Sequence, residues 1–339
     1  MDASTSPPVA DLAADEIRAA RARLGARVLY TPTLAWEDPL FTAGLPAGTR
    51  VSVKLELYQR TGSFKARAAL LHADALDAAQ RGRGITAISA GNHAIAAAFA
   101  AQSVGAHAKV VMTATASPIR VARVRAYGGE VVTAPDVHAA FARVNQLVEE
   151  EGRTLIHPFE GRTTALGTAT LGLEFLEQCA DLDAVIVPIG GGGLAAGVAS
   201  AIKAMAPHIK VYGVEPEGAD SMHRSFAAGS PQAIERVATI ADSLGAPFAM
   251  PVSYALCHRH LDGLVRVTDA ELLAALRAIA EGLRLAVEPA AAAATAALLG
   301  ALREPLAGRH VGIIVCGANL DAPTLGRYLA SGSAGEASP

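Results

Sequence analysis

Short runs of β-branched and apolar residues alternate along this chain with longer stretches rich in alanine and leucine. Residues 51–55, 85–89, 109–112, 130–133, 184–188, 210–215 and 311–316 read as strands. Residues 63–81, 92–104, 118–127, 138–150, 164–179, 193–205 and 269–281 read as helices between most of them. That alternation predicts an α/β architecture with mainly parallel sheets flanked by helices. Several strand runs are apolar throughout, as expected where both faces of a sheet are covered. The stretch 289–302 is mostly alanine. At about 14 residues it is short of the ~20 needed to cross a bilayer, so it reads as a buried helix.

At 339 residues the chain is long for one compact unit, and two lobes are expected. No Pro/Gly-rich linker divides it, so the second lobe is expected to be inserted within the first. Residues 1–9 and 330–339 are small and polar and are expected to fray. The net charge is −3, with no basic run or basic helix face, which argues against nucleic acid or an anionic membrane as partner. Cys179, Cys257 and Cys316 are isolated, without a CxxC pair. Neither a disulfide framework nor a zinc site is expected, and a reducing cytoplasm fits. The polar N-terminus has no charged-then-apolar leader pattern.

Four motifs could carry chemistry. Thr61-Gly62-Ser63-Phe64-Lys65 leads from a polar turn into a helix. A lysine there is commonly a solvated charge. Yet a cation is disfavoured at the positive end of a helix, and a desolvated lysine becomes a nucleophile for carbonyls. Ser89-Ala90-Gly91-Asn92-His93 follows a strand and opens a helix, a place where amides bind carboxylate or phosphate; an ordinary capping turn gives the same local pattern. Gly190-Gly191-Gly192-Gly193-Leu194 also joins a strand to a helix. Four glycines in a row are entropically costly and suit amides wrapped around an anion. A dinucleotide remains open, because Gly190-x-Gly192-x-x-Ala195 fits the looser fingerprint and Glu215 ends the next strand. Cys316-Gly317-Ala318-Asn319 ends the last strand, and Cys316 reads equally as a buried small residue or a ligand contact.

Taken in order with His157-Pro158-Phe159, Val214-Glu215-Pro216, Thr239-Ile240-Ala241-Asp242 and Glu288-Pro289, these motifs resemble the fold-type II pyridoxal-phosphate enzymes, specifically the threonine/serine dehydratase group. The resemblance implies the tryptophan synthase β-like fold: a large lobe of 1–85 and 159–339, with a small lobe of 86–158 inserted. It implies that Lys65 is the Schiff-base lysine and the base at Cα. Phe64, Asn92, Gly190, Gly191, Gly192, Gly193, Leu194 and Cys316 would hold pyridoxal 5'-phosphate. Ser89, Ala90, Gly91, Asn92 and His93 would receive the substrate carboxylate. The implied reaction is α,β-elimination from an L-β-hydroxy amino acid to a 2-oxo acid and ammonia. Relatives often dimerise, so a homodimer is expected.

The chain departs from the family at informative places. Racemases of the group carry serine where Ala90 stands, so elimination with little racemisation is expected. Ala165-Leu166-Gly167-Thr168 replaces Gly-Gln-Gly-Thr, and Ser243 follows Asp242 where glycine is usual. These changes leave room for threonine, serine, 3-phenylserine or 3-hydroxyaspartate, and apolar Leu166 favours an apolar β-substituent. A magnesium site of some relatives would fall on Glu215 and Ala219, but Ser221 stands where an aspartate is expected and Asp220 is its neighbour. One carboxylate is a thin site for a hard cation. The chain stops soon after Asn319, where biosynthetic threonine dehydratases append a regulatory domain, so isoleucine control is not expected. The rivals are a racemase, a β-replacement synthase of the same fold, and a nucleotide-binding module built on Gly190–Gly193.

Overall fold

A computed structural model describes residues 9–331. Residues 1–8 and 332–339 lie outside it, so most of the expected frayed ends cannot be compared. Residues 330 and 331 close the helix Ala322–Ser331.

Ten strands form two sheets. They are β1 (Thr33–Ala35), β2 (Arg50–Leu55), β3 (Ile85–Ile88), β4 (Ala108–Thr113), β5 (Glu130–Ala134), β6 (Thr154–Leu155), β7 (Ala184–Pro188), β8 (Lys210–Pro216), β9 (Gly263–Val267) and β10 (His310–Val315). The larger sheet runs β1-β2-β10-β7-β8-β9 and the smaller β5-β4-β3-β6. Every pairing is parallel except β1 with β2. The chain leaves the larger sheet after β2, builds the smaller one, and returns at β7. β7 and β10 are buried along their whole length, which explains their unbroken apolar runs.

All seven strands expected from the sequence are present. β1, β6 and β9 were not expected; β1 and β6 are two or three residues long, below what a periodicity reading detects. The expected helix 63–81 is two helices, Lys65–Asp74 and Ala78–Arg83. Asp77 caps the second, its side chain accepting from the Gln80 amide while Gln80 reaches back, and this box ends the first run. The alanine-rich stretch forms the buried helix Pro289–Leu299. Among the described residues no helix is long and apolar enough to cross a membrane.

Helices Arg162–Gln178 and Gly193–Met205 pack closely because glycine sits at their contact. A β-carbon on Gly197 would lie 2.0 Å from Thr168 Oγ1, and one on Gly172 2.9 Å from Ala201 Cβ. Beside them lies a buried charge cluster. Arg67, on the helix Lys65–Asp74, has no solvent exposure. Its guanidinium donates to both oxygens of Glu56 at 2.8 Å and to those of Glu174 at 3.0 and 2.7 Å. Lys54 adds bonds to the Thr31 carbonyl and to Gln178, both 2.7 Å, and lies 3.4 Å from Glu174. Arg67 and Lys54 together thereby tie β2, its following turn and two helices to one another.

Removing one partner of such a buried cluster strands the others. Arg67→Leu is expected to cost about 3–5 kcal/mol, read as a lower urea midpoint at unchanged slope. A loss under about 1 kcal/mol would show that Glu56 and Glu174 are satisfied without it.

Candidate active site

The carboxyl ends of β3, β7 and β10 open onto one cavity of about 370 Å³. That is where ligands bind in open parallel sheets. The sequence motifs following these strands, together with Lys65, all line it.

Lys65 is the first residue of its helix. The turn before it is pinned to the end of β10: Ser63 bridges to Gly317, and the Phe64 amide donates to the Cys316 carbonyl at 3.2 Å. Two residues on, Arg67 anchors the helix in the charge cluster. Lys65 Nζ donates to the Pro158 carbonyl at 2.5 Å. Among the described residues no carboxylate forms an ion pair with it. Burial pulls its pKa down to about 8, against the opposing pull of Cys316 and Glu288. Lys65 is therefore a desolvated amine facing a cavity, and not a solvated surface charge.

The glycine loop is shaped by what packs against it. A β-carbon on Gly191 would sit 2.2 Å from the Phe159 ring, and one on Gly193 2.6 Å from the Phe159 carbonyl. Gly192 has φ +91° and is the N-cap of the helix Gly193–Met205, which has no side-chain cap. The helix start thus presents bare amides to the cavity. Such a start suits the phosphate of a cofactor. For a dinucleotide it lacks a second part: Glu215 is fully buried and its two oxygens accept from the Met222 and His223 amides at 2.9 and 2.7 Å. Burial raises its pKa to about 8. Glu215 caps a helix and does not reach a ribose.

The same geometry bears on the cation expected at Glu215 and Ala219. Glu215 is committed to amides, and Asp220 pairs with Arg224 at 2.8 Å and Arg266 at 3.0 Å. Among the described residues no group of three or more His, Cys, Asp or Glu side chains is placed to hold a metal ion.

Gly91 is the N-cap of the helix Asn92–Ser103, again without a side-chain cap. Ser89 Oγ accepts from the Gly91 amide at 3.0 Å, which shapes the loop. Asn92 Nδ2 donates to Glu288 Oε1 at 2.6 Å, and Asn92 Oδ1 accepts from Asn319 at 2.5 Å. His93 carries its proton on Nε2, bonded to the Ile156 carbonyl at 2.8 Å, and burial lowers its pKa to about 3. It fixes the loop as a neutral ring. Ala90 lines the cavity without a hydroxyl. Cys316 is 2 % exposed, and burial pushes its thiol well above the usual range, so it stays neutral.

Arg120, Phe141 and Phe248 line the cavity and escaped the sequence reading of the site. Arg120 is buried, ion-paired with Asp242, and donates to the Asn319 carbonyl at 2.9 Å. Ser243 sits beside Asp242. Phe248 stands between Phe141 and Phe159, with ring centroids at 6.4 and 6.1 Å. Their separation in sequence hid the aromatic cluster. The apolar character expected from Leu166 is misplaced: Leu166 packs into the core between helices and does not line the cavity. Of the changes at 165–168 and after Asp242, only Ser243–Pro247 reaches the cavity.

A model of the family described as "Pyridoxal-phosphate dependent enzyme" matches residues 30–317. The chain is 53 % identical to phenylserine dehydratase of Ralstonia pickettii, covering 98 % of this chain and 99 % of that one. It is 35 % identical to the catabolic L-threonine dehydratase of Escherichia coli, over 91 % of this chain and 94 % of the other. Its structure superposes on maize serine racemase with TM-score 0.88 at 35 % identity, covering 95 % and 98 % of the two chains.

A lysine with pKa about 8 is charged below that value and free to attack an aldehyde above it. Loading of cofactor-free protein with pyridoxal phosphate, trapped by borohydride, is expected to rise with pH through a midpoint near 8. A midpoint near 10.5, the value of a solvated lysine, would contradict the desolvated setting of Lys65.

Proposed function

The chain belongs to the pyridoxal-phosphate dependent enzymes, and from that premise we propose that it is an ammonia-lyase for L-β-hydroxy amino acids with an aromatic β-substituent, 3-phenylserine above threonine and serine. One observation carries the choice of substrate. Phe141, Phe159 and Phe248 line the same cavity as Lys65 and the Ser89–His93 loop. An aryl group gains most from edge-to-face packing in such a cluster. A 3-hydroxyaspartate would need a free cation for its second carboxylate, and Arg120 already pairs with Asp242. The similarity to phenylserine dehydratase points the same way.

We read the two sheets as two lobes, 86–158 set into 1–85 and 159–339, with the site in the cleft between them. The residues fit the cofactor: an uncapped helix start with glycines that no other residue could replace, and a desolvated lysine within the same cavity. Bound there, pyridoxal phosphate supplies the electron sink that acidifies the substrate Cα–H. The amides of Gly190–Leu194 would hold its phosphate, and Phe64, Asn92 and Cys316 would border its ring. The amides of the Ser89–His93 loop take the substrate carboxylate. Lys65, freed by the incoming amine, takes the Cα proton; with its pKa near 8, a sizeable fraction is unprotonated at neutral to mildly basic pH. Cys316 is a weak, neutral hydrogen-bond partner. As a partner for a ring nitrogen it would supply no charge to hold a proton there, a setting suited to elimination over transamination. The β-hydroxyl leaves with a proton as water, and the released enamine tautomerises to an imine that a second water hydrolyses to 2-oxo acid and ammonia. Ala90 has no proton to give from the opposite face, so racemisation is a minor path.

A panel of L-3-phenylserine, L-threonine, L-serine and L-3-hydroxyaspartate, with and without magnesium, tests this by ammonia and 2-oxo-acid release. No thiol is added, which separates elimination from β-replacement. Phenylserine is expected to have the highest kcat/KM. Phe248→Ala should lower it roughly tenfold for phenylserine while leaving serine within about twofold. Equal losses on both substrates would remove the aromatic wall from the argument. Lys65→Ala should abolish turnover, and substantial D-serine from L-serine would contradict the role given to Ala90.

A further inference from the structure

The cavity has a second wall, and it is polar. Beside the Ser89–His93 loop lies the turn Asp242–Leu244. It is held rigidly on two sides. Its Leu244 backbone packs on the glycine loop so closely that a β-carbon on Gly190 would be 3.0 Å from Leu244 Cα. Its Asp242 carboxylate is bound by both terminal nitrogens of the buried Arg120 guanidinium. Arg120 is in turn fixed by the Asn319 carbonyl.

Ser243 rides on this turn and lines the cavity. A β-carbon built on Gly91 would lie 3.9 Å from Ser243 Oγ, which places that hydroxyl beside the carboxylate loop. Its bonds to Asn92 Nδ2 and Asp242 Oδ1 are long, both 3.4 Å, and its hydroxyl also interacts with the Glu288 carboxylate. At that length the bonds are weak, so the hydroxyl has capacity to spare for a ligand. It is neutral, rigidly placed, and free both to donate and to accept.

We propose that Ser243 recognises the substrate's β-hydroxyl and thereby sets which diastereomer at Cβ is accepted. This rests on the β-hydroxy amino acid reading above. The substrate is already held at its amine, through the site of Lys65, and at its carboxylate, by the Ser89–His93 loop. Those two attachments fix Cα but leave Cβ free to present either substituent to either wall. With the aryl or alkyl group against Phe248 and the hydroxyl against Ser243, only one configuration at Cβ satisfies both walls. The other buries its hydroxyl among phenyl rings and leaves Ser243 facing an apolar group, a mismatch that polar sites reject strongly.

The test compares kcat/KM for L-threo- and L-erythro-3-phenylserine, and for L-threonine and L-allothreonine, in wild type, Ser243→Ala and Ser243→Gly. Wild type is expected to prefer one member of each pair, and both variants to shrink that preference by roughly threefold to tenfold, through loss on the preferred member. A disturbed cavity would slow both members alike and leave the ratio where it was. An unchanged ratio in both variants overturns the role of Ser243. Failure of wild type on phenylserine with turnover of threonine would sink the aromatic-substrate reading alone, since the threonine pair still reports on Ser243. Failure on all four would sink both.

Discussion

Arg67 holds two carboxylates in the dry interior, and the placement of Lys65 depends on it. Burying Glu56, Glu174 and Arg67 together carries a large desolvation penalty, which only close, multiple hydrogen bonds offset. The return is geometric. Glu56 opens the turn that follows β2, Glu174 belongs to the helix that packs on the glycine-loop helix, and Arg67 is two residues from Lys65. One cation therefore sets the distance between the lysine and the loop that faces it. Phe64 adds the second constraint by bonding to β10 just before the helix begins. A long, flexible side chain is delivered to a fixed point because the backbone at its root cannot shift.

Both ligand loops use a helix start without a side-chain cap. In an ordinary helix those amides would be satisfied by a serine or aspartate at the N-cap. Here glycine stands at the N-cap on each, and the bare amides are aimed into the same cavity. Donors left free in this way impose no charge of their own, so on Lys65 the pull of Glu288 toward protonation is outweighed by burial. Desolvation then dominates it, and the neutral His93 and Cys316 beside it keep the surroundings uncharged.

Much of this was legible in the sequence, and the rest was hidden for definite reasons. Strands buried on both faces announce themselves, and all seven expected ones formed. The short pairings β1 and β6 have too few residues to show a period. The motif order revealed Lys65, Asn92, the glycine loop and Cys316, because each sits at a strand–helix junction where backbone geometry restricts the residue type. Side chains that reach the cavity from helices and loops carry no such mark. Phe141, Phe159 and Phe248 come from three separate segments, and nothing local distinguishes them from core aromatics. Leu166 shows the converse: it lies in a family motif, yet helical periodicity turns it toward the core. Arg120 shares the helix Pro118–Ala126 with Arg123 and Arg125, nothing in the sequence sets it apart from them, and it is buried against Asp242.

The Arg120–Asp242 pair explains how a cavity with an aromatic wall remains a site for a polar molecule. Asp242 is more than half exposed at its side chain, while Arg120 is buried. The cation is thus supplied from the smaller sheet's side and its counter-ion from the larger sheet's side, across the cleft. Paired, the two cancel as charges but keep the turn that bears Ser243 in register with the Asn92 loop, some 150 residues earlier in the chain. A free arginine at that point would attract a second carboxylate, and a free aspartate would repel the first. Neutralised, the pair leaves the cavity with an apolar wall and an uncharged hydroxyl, the two features on which the proposed choice of substrate rests.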